Sequence, residues 1–204
     1  MERATFDGWI AGLGTAGGTR IVIGRWPDSP LGDLTDVMLE SPGGHRTLYA
    51  PSQAAADLIA TTYTFDEVVL TPVSATADGA SWRVVAGPLS VQLTVGGRRP
   101  LAWLLRAVPG PLARARWWIS LLDVPARLLL PGVRTTGSAR DGRREWYGAR
   151  DLHAVTAATV TLDGADLGPL RDVDPPVRFG FGSVPRSPSL VRVSSTVELA
   201  RPLT

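Results

Sequence analysis

The chain contains no cysteine, no lysine and no asparagine, so all 21 of its basic residues are arginine. Without cysteine there are no disulfides, thiolate nucleophiles, iron–sulfur clusters or thiolate-bound zinc. Without lysine no Schiff base can form on a side-chain amine. Without asparagine there is no N-glycosylation sequon. Codon usage in a GC-rich genome accounts for the missing lysine and asparagine, yet the exclusions bind the chemistry all the same. Histidine is scarce too: His45 and His153 are the only two. A histidine-based metal centre would need both to meet carboxylates in space, and the sequence predicts neither a metal nor a cofactor.

Concentrated positive charge is also missing. The net charge is +2, and the arginines are scattered from Arg3 to Arg201, with only short clusters at Arg98-Arg99 and Arg143-Arg144. A nucleic-acid binder gathers such charge on one element, so no nucleic-acid partner is expected. No run approaches the roughly 18 apolar residues that a spanning helix requires. The stretch Met1 to Asp7 has no apolar segment of the kind that opens a signal peptide, and the expected location is cytoplasmic.

What is present is enough apolar material, 44% of 204 residues, to bury one core; residues 1–204 read as a single domain. Short segments with period-two alternation are separated by Gly, Pro, Asp and Ser, the pattern of antiparallel strands and tight turns. Strands are expected at Thr19 to Trp26, Asp33 to Glu40, His45 to Tyr49, Phe65 to Val73, Ser81 to Ala86, Leu89 to Val95, Arg143 to His153, Val155 to Leu162 and Val191 to Leu199. Ser52 to Thr62 breaks the rhythm: Ser52 can cap a helix that places Ala55, Leu58, Ile59 and Thr62 on one face. From about 100 to 131 the pattern is helical and apolar, punctuated by Pro109, Pro111 and Pro125. Its stripes are Trp103, Leu104, Ala107 and Val108, then Trp118, Leu121, Leu122, Leu128 and Leu129.

Successive strands without alternating crossover helices predict a mainly β fold, a closed or half-closed antiparallel barrel with one short helix and a proline-punctuated helical insert. A barrel of about eight strands can enclose one small ligand. This mixture is loosely similar to lipocalin-type barrels and also resembles acetoacetate-decarboxylase-like barrels. The missing lysine removes the amine chemistry that the second resemblance implies, though not the fold.

Several clusters invite a functional reading. Gly12-Leu13-Gly14-Thr15-Ala16-Gly17 matches a dinucleotide-binding turn, but the β-branched segment that follows is no helix, and a turn or bulge between strands is the better account. In the strand from Arg143 to His153, alternation places Glu145, Tyr147, Asp151 and His153 on one face and Arg144, Trp146, Arg150 and Leu152 on the other. Facing a cavity, the first row could do acid–base work, with Glu145 as general acid and His153 oriented by Asp151. Facing solvent, it would be an ordinary charged row with Trp146 as core anchor. Asp36, Met38 and Glu40 share a strand face near His45 and Tyr49. In the insert, Trp103, Trp117 and Trp118 stand beside Arg106, Arg114, Arg116 and Arg127. A lid or core role fits the compact proline pattern better than a membrane surface, which is not expected as a partner. Phe179 and Phe181, alternating with glycine, read as plugs of the core or a barrel end.

The leading expectation is a protein that binds a small apolar or amphipathic molecule in a barrel cavity, with Trp103, Trp118, Trp146, Phe179 and Phe181 as ligand contacts. One alternative is a cofactor-free cyclase, isomerase or hydratase acting on a lipophilic substrate through Glu145, Tyr147, Asp151 and His153. The other is an interaction module that forms a homodimer or docks through the insert.

Overall fold

The computed structural model describes residues 3–113, 115–129, 135–138, 144–180 and 184–198. Its strands are β1 (Arg3–Thr15), β2 (Arg20–Asp28), β3 (Leu34–Glu40), β4 (Arg46–Ala50), β5 (Glu67–Leu70), β6 (Val73–Asp78), β7 (Ser81–Ala86), β8 (Leu89–Arg98), β9 (Thr136–Ser138), β10 (Arg144–Leu162), β11 (Ala165–Asp166), β12 (Leu170–Arg171) and β13 (Ser189–Glu198). The helices are α1 (Gln53–Thr62), α2 (Pro100–Ala107), α3 (Gly110–Ala113) and α4 (Arg116–Leu129).

The main path of the sheet runs β5-β4-β3-β2-β1-β13-β10-β8-β7-β6 and curls into a half-barrel, bringing β6 at one edge beside β3 near the other. The mainly β architecture read from the alternation is therefore the architecture observed. Pairing is antiparallel except between β4 and β5, which run parallel with α1 as the crossover between them. A parallel neighbour needs such a connection, because a tight turn can only reverse the chain. The expected helix is the one found. Its Ser52 side chain accepts from the Ala55 amide at 3.2 Å, and Ala55, Ala56, Leu58 and Thr62 are buried.

Three sequence expectations are corrected. The glycine-rich stretch Gly12 to Gly17 was expected as a turn or bulge between two strands, with no bounds set for the strand before it, yet Arg3 to Thr15 forms one continuous strand, β1, which pairs with both β2 and β13. Both faces of its second half are buried, so period-two alternation disappears. Gly14 serves close approach there: a Cβ at this position would collide with the Asp172 carbonyl. Arg143 to His153 and Val155 to Leu162, expected as two strands, form the single 19-residue β10. Phe65 to Val73, expected as one, divides into β5 and the start of β6.

Apolar side chains fill both faces of the sheet. Leu13, Ile21, Ile23, Val37 and Leu39 meet Val84, Leu89, Val91 and Leu93, so the half-barrel is packed where β7 and β8 fold over. On the other face Phe6, Ile10, Val22, Trp26, Met38, Tyr147 and Val193 lie under α1 and the segment carrying Val173, Phe179 and Val184. Beside this second cluster Glu40, fully buried, is held by Arg20 at 2.8 Å and by Arg178 at 2.8 Å. Among the described residues no helix is long and apolar enough to cross a membrane.

Candidate functional site

Between α1 and the sheet lies a cavity of about 60 Å³, taken as the space open to the centre of a water molecule. At 10–15 Å³ per water, that admits about four waters or a small organic group. Most of its wall is apolar, with Phe6, Ile10, Val22, Met38, Leu58 and Val197 among the contributors. Its polar side chains are Trp26 and Asp36 from β2 and β3, Thr62 and Tyr63 at the end of α1, and Glu145, Tyr147 and Ser195 from β10 and β13.

Strand alternation delivers these groups. Glu145 lies opposite Val197 and Tyr147 opposite Ser195, so the four side chains share one face. On β3, Asp36 and Met38 project from the same face two residues apart. Tyr63 enters from above because the chain turns extended at this residue, where α1 ends.

The electrostatics are unusual for a core. Trp26 Nε1–H donates to Asp36 Oδ1 at 3.0 Å, while Asp36 Oδ2 is buried with no hydrogen-bond partner. Burial pushes the Asp36 carboxyl up to about 7, against the smaller lowering effect of the Trp26 hydrogen bond. Ser195 Oγ–H donates to Glu145 Oε1 at 3.0 Å, and Oε2 is buried without a hydrogen bond of normal geometry. Burial likewise pushes Glu145 up to about 7, although Tyr147, Ser195 and Tyr63 favour its ionised form. The Tyr63 and Tyr147 hydroxyls hydrogen-bond to each other. Both phenols are pushed well above their usual range, by burial first and then by the charge of Glu145, so they stay protonated at neutral pH. Two buried acids that titrate near neutrality beside two protonated phenols can accept a proton, donate one, or match a positive charge.

The structure divides the expected catalytic row. Glu145 and Tyr147 face the cavity. A β-bulge between Ala149 and Asp151 then shifts the register by one, placing Asp151 opposite Arg192 and His153 opposite Leu190, on the reverse face. A one-residue slip exchanges the faces of every residue beyond it, which alternation counted along the sequence does not reveal. Asp151 is bound there by Arg98 at 3.1 Å and Arg106 at 3.2 Å, and accepts from the Leu152 amide at 3.0 Å. Burial raises its pKa, but Arg98, the Leu152 amide and Arg106 together hold it below the usual carboxylate value. His153 Nε2 lies 3.5 Å from Asp151, and its Nδ1 is 3.2 Å from the Gly96 carbonyl.

The residues expected to contact a ligand are dispersed. Trp146 is buried on the side of β10 away from the cavity, with the Arg116 guanidinium 5.5 Å from its ring centre. Phe179 packs on Phe65 and plugs the core beside the cavity without lining it. Phe181 lies outside the described residues. Trp118, half-buried, stacks edge-on with Trp117. Trp103 is 63% exposed and Trp117 65%, so these two do not form the underside of a lid. The insert docks instead through Ala102, Ala113 and Ile119.

Asp36 was considered from sequence only in connection with His45, which instead sits exposed against Glu67. Trp26, Tyr63 and Ser195 were not considered as site residues. The only sequence signal for Tyr63 is its position just past the last buried residue of an amphipathic helix, and Ser195 interrupts the run of Val191, Val193 and Val197 on one face of β13.

No family model matches the chain, and no curated protein matches it. Among solved structures it is similar to an acetoacetate decarboxylase from Legionella pneumophila, at 11% identity and a TM-score of 0.46, over 96% of this chain and 85% of that one. It is also similar to a protein described as AttH from Nitrosomonas europaea, at 13% identity and a TM-score of 0.31, over 98% of this chain and 53% of that one. The chain thus spans about half the length of the second structure, and at these values neither likeness assigns residues a role.

Proposed function

We propose that the chain binds a small, mainly apolar molecule with a polar end in the cavity between α1 and the sheet. The observation that carries this reading is the combination of an apolar wall with Asp36, Tyr63, Glu145 and Tyr147 in one partly open cavity. Binding sites are typically apolar pockets with a few convergent polar groups of perturbed acidity. The half-barrel interior is packed with apolar side chains where β7 and β8 fold over, and the opening beside Arg106, Arg150, Asp151 and Arg192 is polar, so the ligand is assigned to the helix-covered face.

Native mass spectrometry of protein purified from its own host tests this. A retained small molecule is expected, and it should be lost from Val22→Phe, which fills the cavity from the floor. Retention unchanged in a folded Val22→Phe protein overturns the reading. Turnover of a lipophilic substrate is the alternative for the same cavity. It keeps Glu145 and Tyr147 as proton-transfer groups and loses Asp151 and His153.

A different observation supports a second role for the insert. Trp103, Leu104, Trp117 and Leu121 are each more than 60% exposed, and from 100 to 129 the only acidic residue, Asp123, is buried while Arg106 and Arg116 are exposed. Aromatic and apolar side chains among arginines match an anionic bilayer surface. Co-sedimentation with phosphatidylserine vesicles, lost in Trp103→Ala/Trp117→Ala, is the expected result. No sedimentation, or a dimer in light scattering that the same substitutions dissolve, rules it out.

A further inference from the structure

Resting on the cavity reading, we propose that the ligand is a small organic cation, an alkylammonium with a branched apolar body, whose charge is matched by Asp36 and Glu145. The argument begins with how this protein treats its other buried acids. Glu40 has Arg20 and Arg178, and Asp151 has Arg98 and Arg106. In a chain with 21 arginines, the cavity wall contains two acids and no arginine or histidine among its described residues. Burying a carboxylate without a counter-charge is strongly unfavourable, and here two such groups share one small space.

Asp36 keeps Oδ2 without a hydrogen-bond partner, and Glu145 is met only by neutral hydroxyls, although both residues are more than nine-tenths buried. The groups facing them are all neutral. Asp36 meets Trp26 from β2, and Glu145 meets Ser195 from β13 and the phenols of Tyr147 and Tyr63, while Tyr63 lies within electrostatic reach of both acids. An ammonium brings the missing positive charge, with N–H donors for Asp36 Oδ2 and for the Glu145 carboxylate. Around it stand the rings of Phe6, Trp26, Tyr63 and Tyr147, whose faces attract cations. A metal ion fits less well, because no three of His, Asp and Glu cluster for ligation among the described residues and the phenols remain protonated.

The test is isothermal titration calorimetry of the full chain with three probes that share one carbon skeleton: 3-methylbutylamine, 3-methylbutanol and 3-methylbutanoate. The amine should bind at least tenfold tighter than the alcohol at pH 8, and the carboxylate should not bind. Amine affinity should fall about tenfold or more between pH 8 and pH 6, since each carboxyl titrating near 7 goes from mostly ionised to mostly protonated. Asp36→Asn/Glu145→Gln should lose amine binding and keep the alcohol. If that variant does not fold, the probe series and the pH pair on the native chain decide. Alcohol or carboxylate binding as tight as the amine, or no change with pH, overturns the cation assignment. If the alcohol still binds and Val22→Phe abolishes it, the cavity reading survives that failure. If no probe binds, the cation proposal is overturned, and native mass spectrometry then decides the cavity reading alone.

Discussion

Asp36 and Glu145 make the cavity a source of pH-dependent stability. Their carboxyls titrate near 7 in the folded chain but near 3.8 and 4.5 without burial. Between those limits these two groups hold more protons in the folded state than in the unfolded one, so their contribution to stability is most favourable below about pH 4, falls as pH rises to about 7, and is level beyond. At about 1.36 kcal/mol per pKa unit, each group costs on the order of 3–4 kcal/mol at pH 8. Asp36→Asn/Glu145→Gln should therefore melt above the native chain at pH 8 and within a degree or two of it at pH 4, by calorimetry. A constant difference across that range would show that burial does not raise these pKa values. Glu40 gives the opposite case. Its loss in Glu40→Ala leaves Arg20 buried without a counter-charge, and such a break costs about 3–5 kcal/mol. Urea denaturation should show that loss, whereas removing the exposed partner of Arg25, in Asp33→Ala, should cost less than about 1 kcal/mol.

At the scale of elements, β10 decides how the site is assembled. Its first part presents Glu145 and Tyr147 to the cavity, and the bulge at Ala149–Asp151 turns the rest toward Trp9 and Arg192. Gly148, just before the bulge, is where the insert sits down: a Cβ there would collide with the Ala113 carbonyl and press on Ile119. Backbone cannot yield as a flexible side chain can, so Gly148→Ala should cost about 1–3 kcal/mol and lower the Tm by several degrees. Gly97→Ala, with nothing within 4 Å of the added methyl, is the control and should stay within about 0.5 kcal/mol. Equal Tm values for the two variants would mean that the insert does not pack on β10 as described.

For the whole molecule, the decisive pairing joins the two ends of the chain. β13 lies between β1 and β10 at the centre of the sheet, with Arg3 opposite Glu198 and Gly12 opposite Ser189. Its removal would separate the sheet into halves and strip Ser195 and Val197 from the cavity. A chain ending at residue 188 should show neither the near-ultraviolet circular dichroism of packed tryptophans nor a cooperative melt. Retention of both would contradict the central place of β13. Such long-range pairing also makes folding slow relative to helical proteins of this size, because loop closure precedes any reward from contact.

Strand type, the cap at Ser52 and the helical character of the insert were legible because they depend on local periodicity and capping chemistry. So were the chemical exclusions, which follow from residues that are absent. Within the expected row, Glu145 and Tyr147 were placed on one face correctly because they lie two positions apart on one strand, ahead of the bulge. Asp36, Tyr63 and Ser195 escaped notice because they reach the site from β3, from the end of α1 and from β13, and nothing local marks them. The split of the Glu145–His153 row is of the same kind: one bulge, set by pairing with β13, reverses the faces. What the sequence by itself determined is the set of groups available and the elements that carry them. Which acids lie without a counter-charge was decided by tertiary structure, since burial and charge matching are properties of neighbours brought from distant parts of the chain.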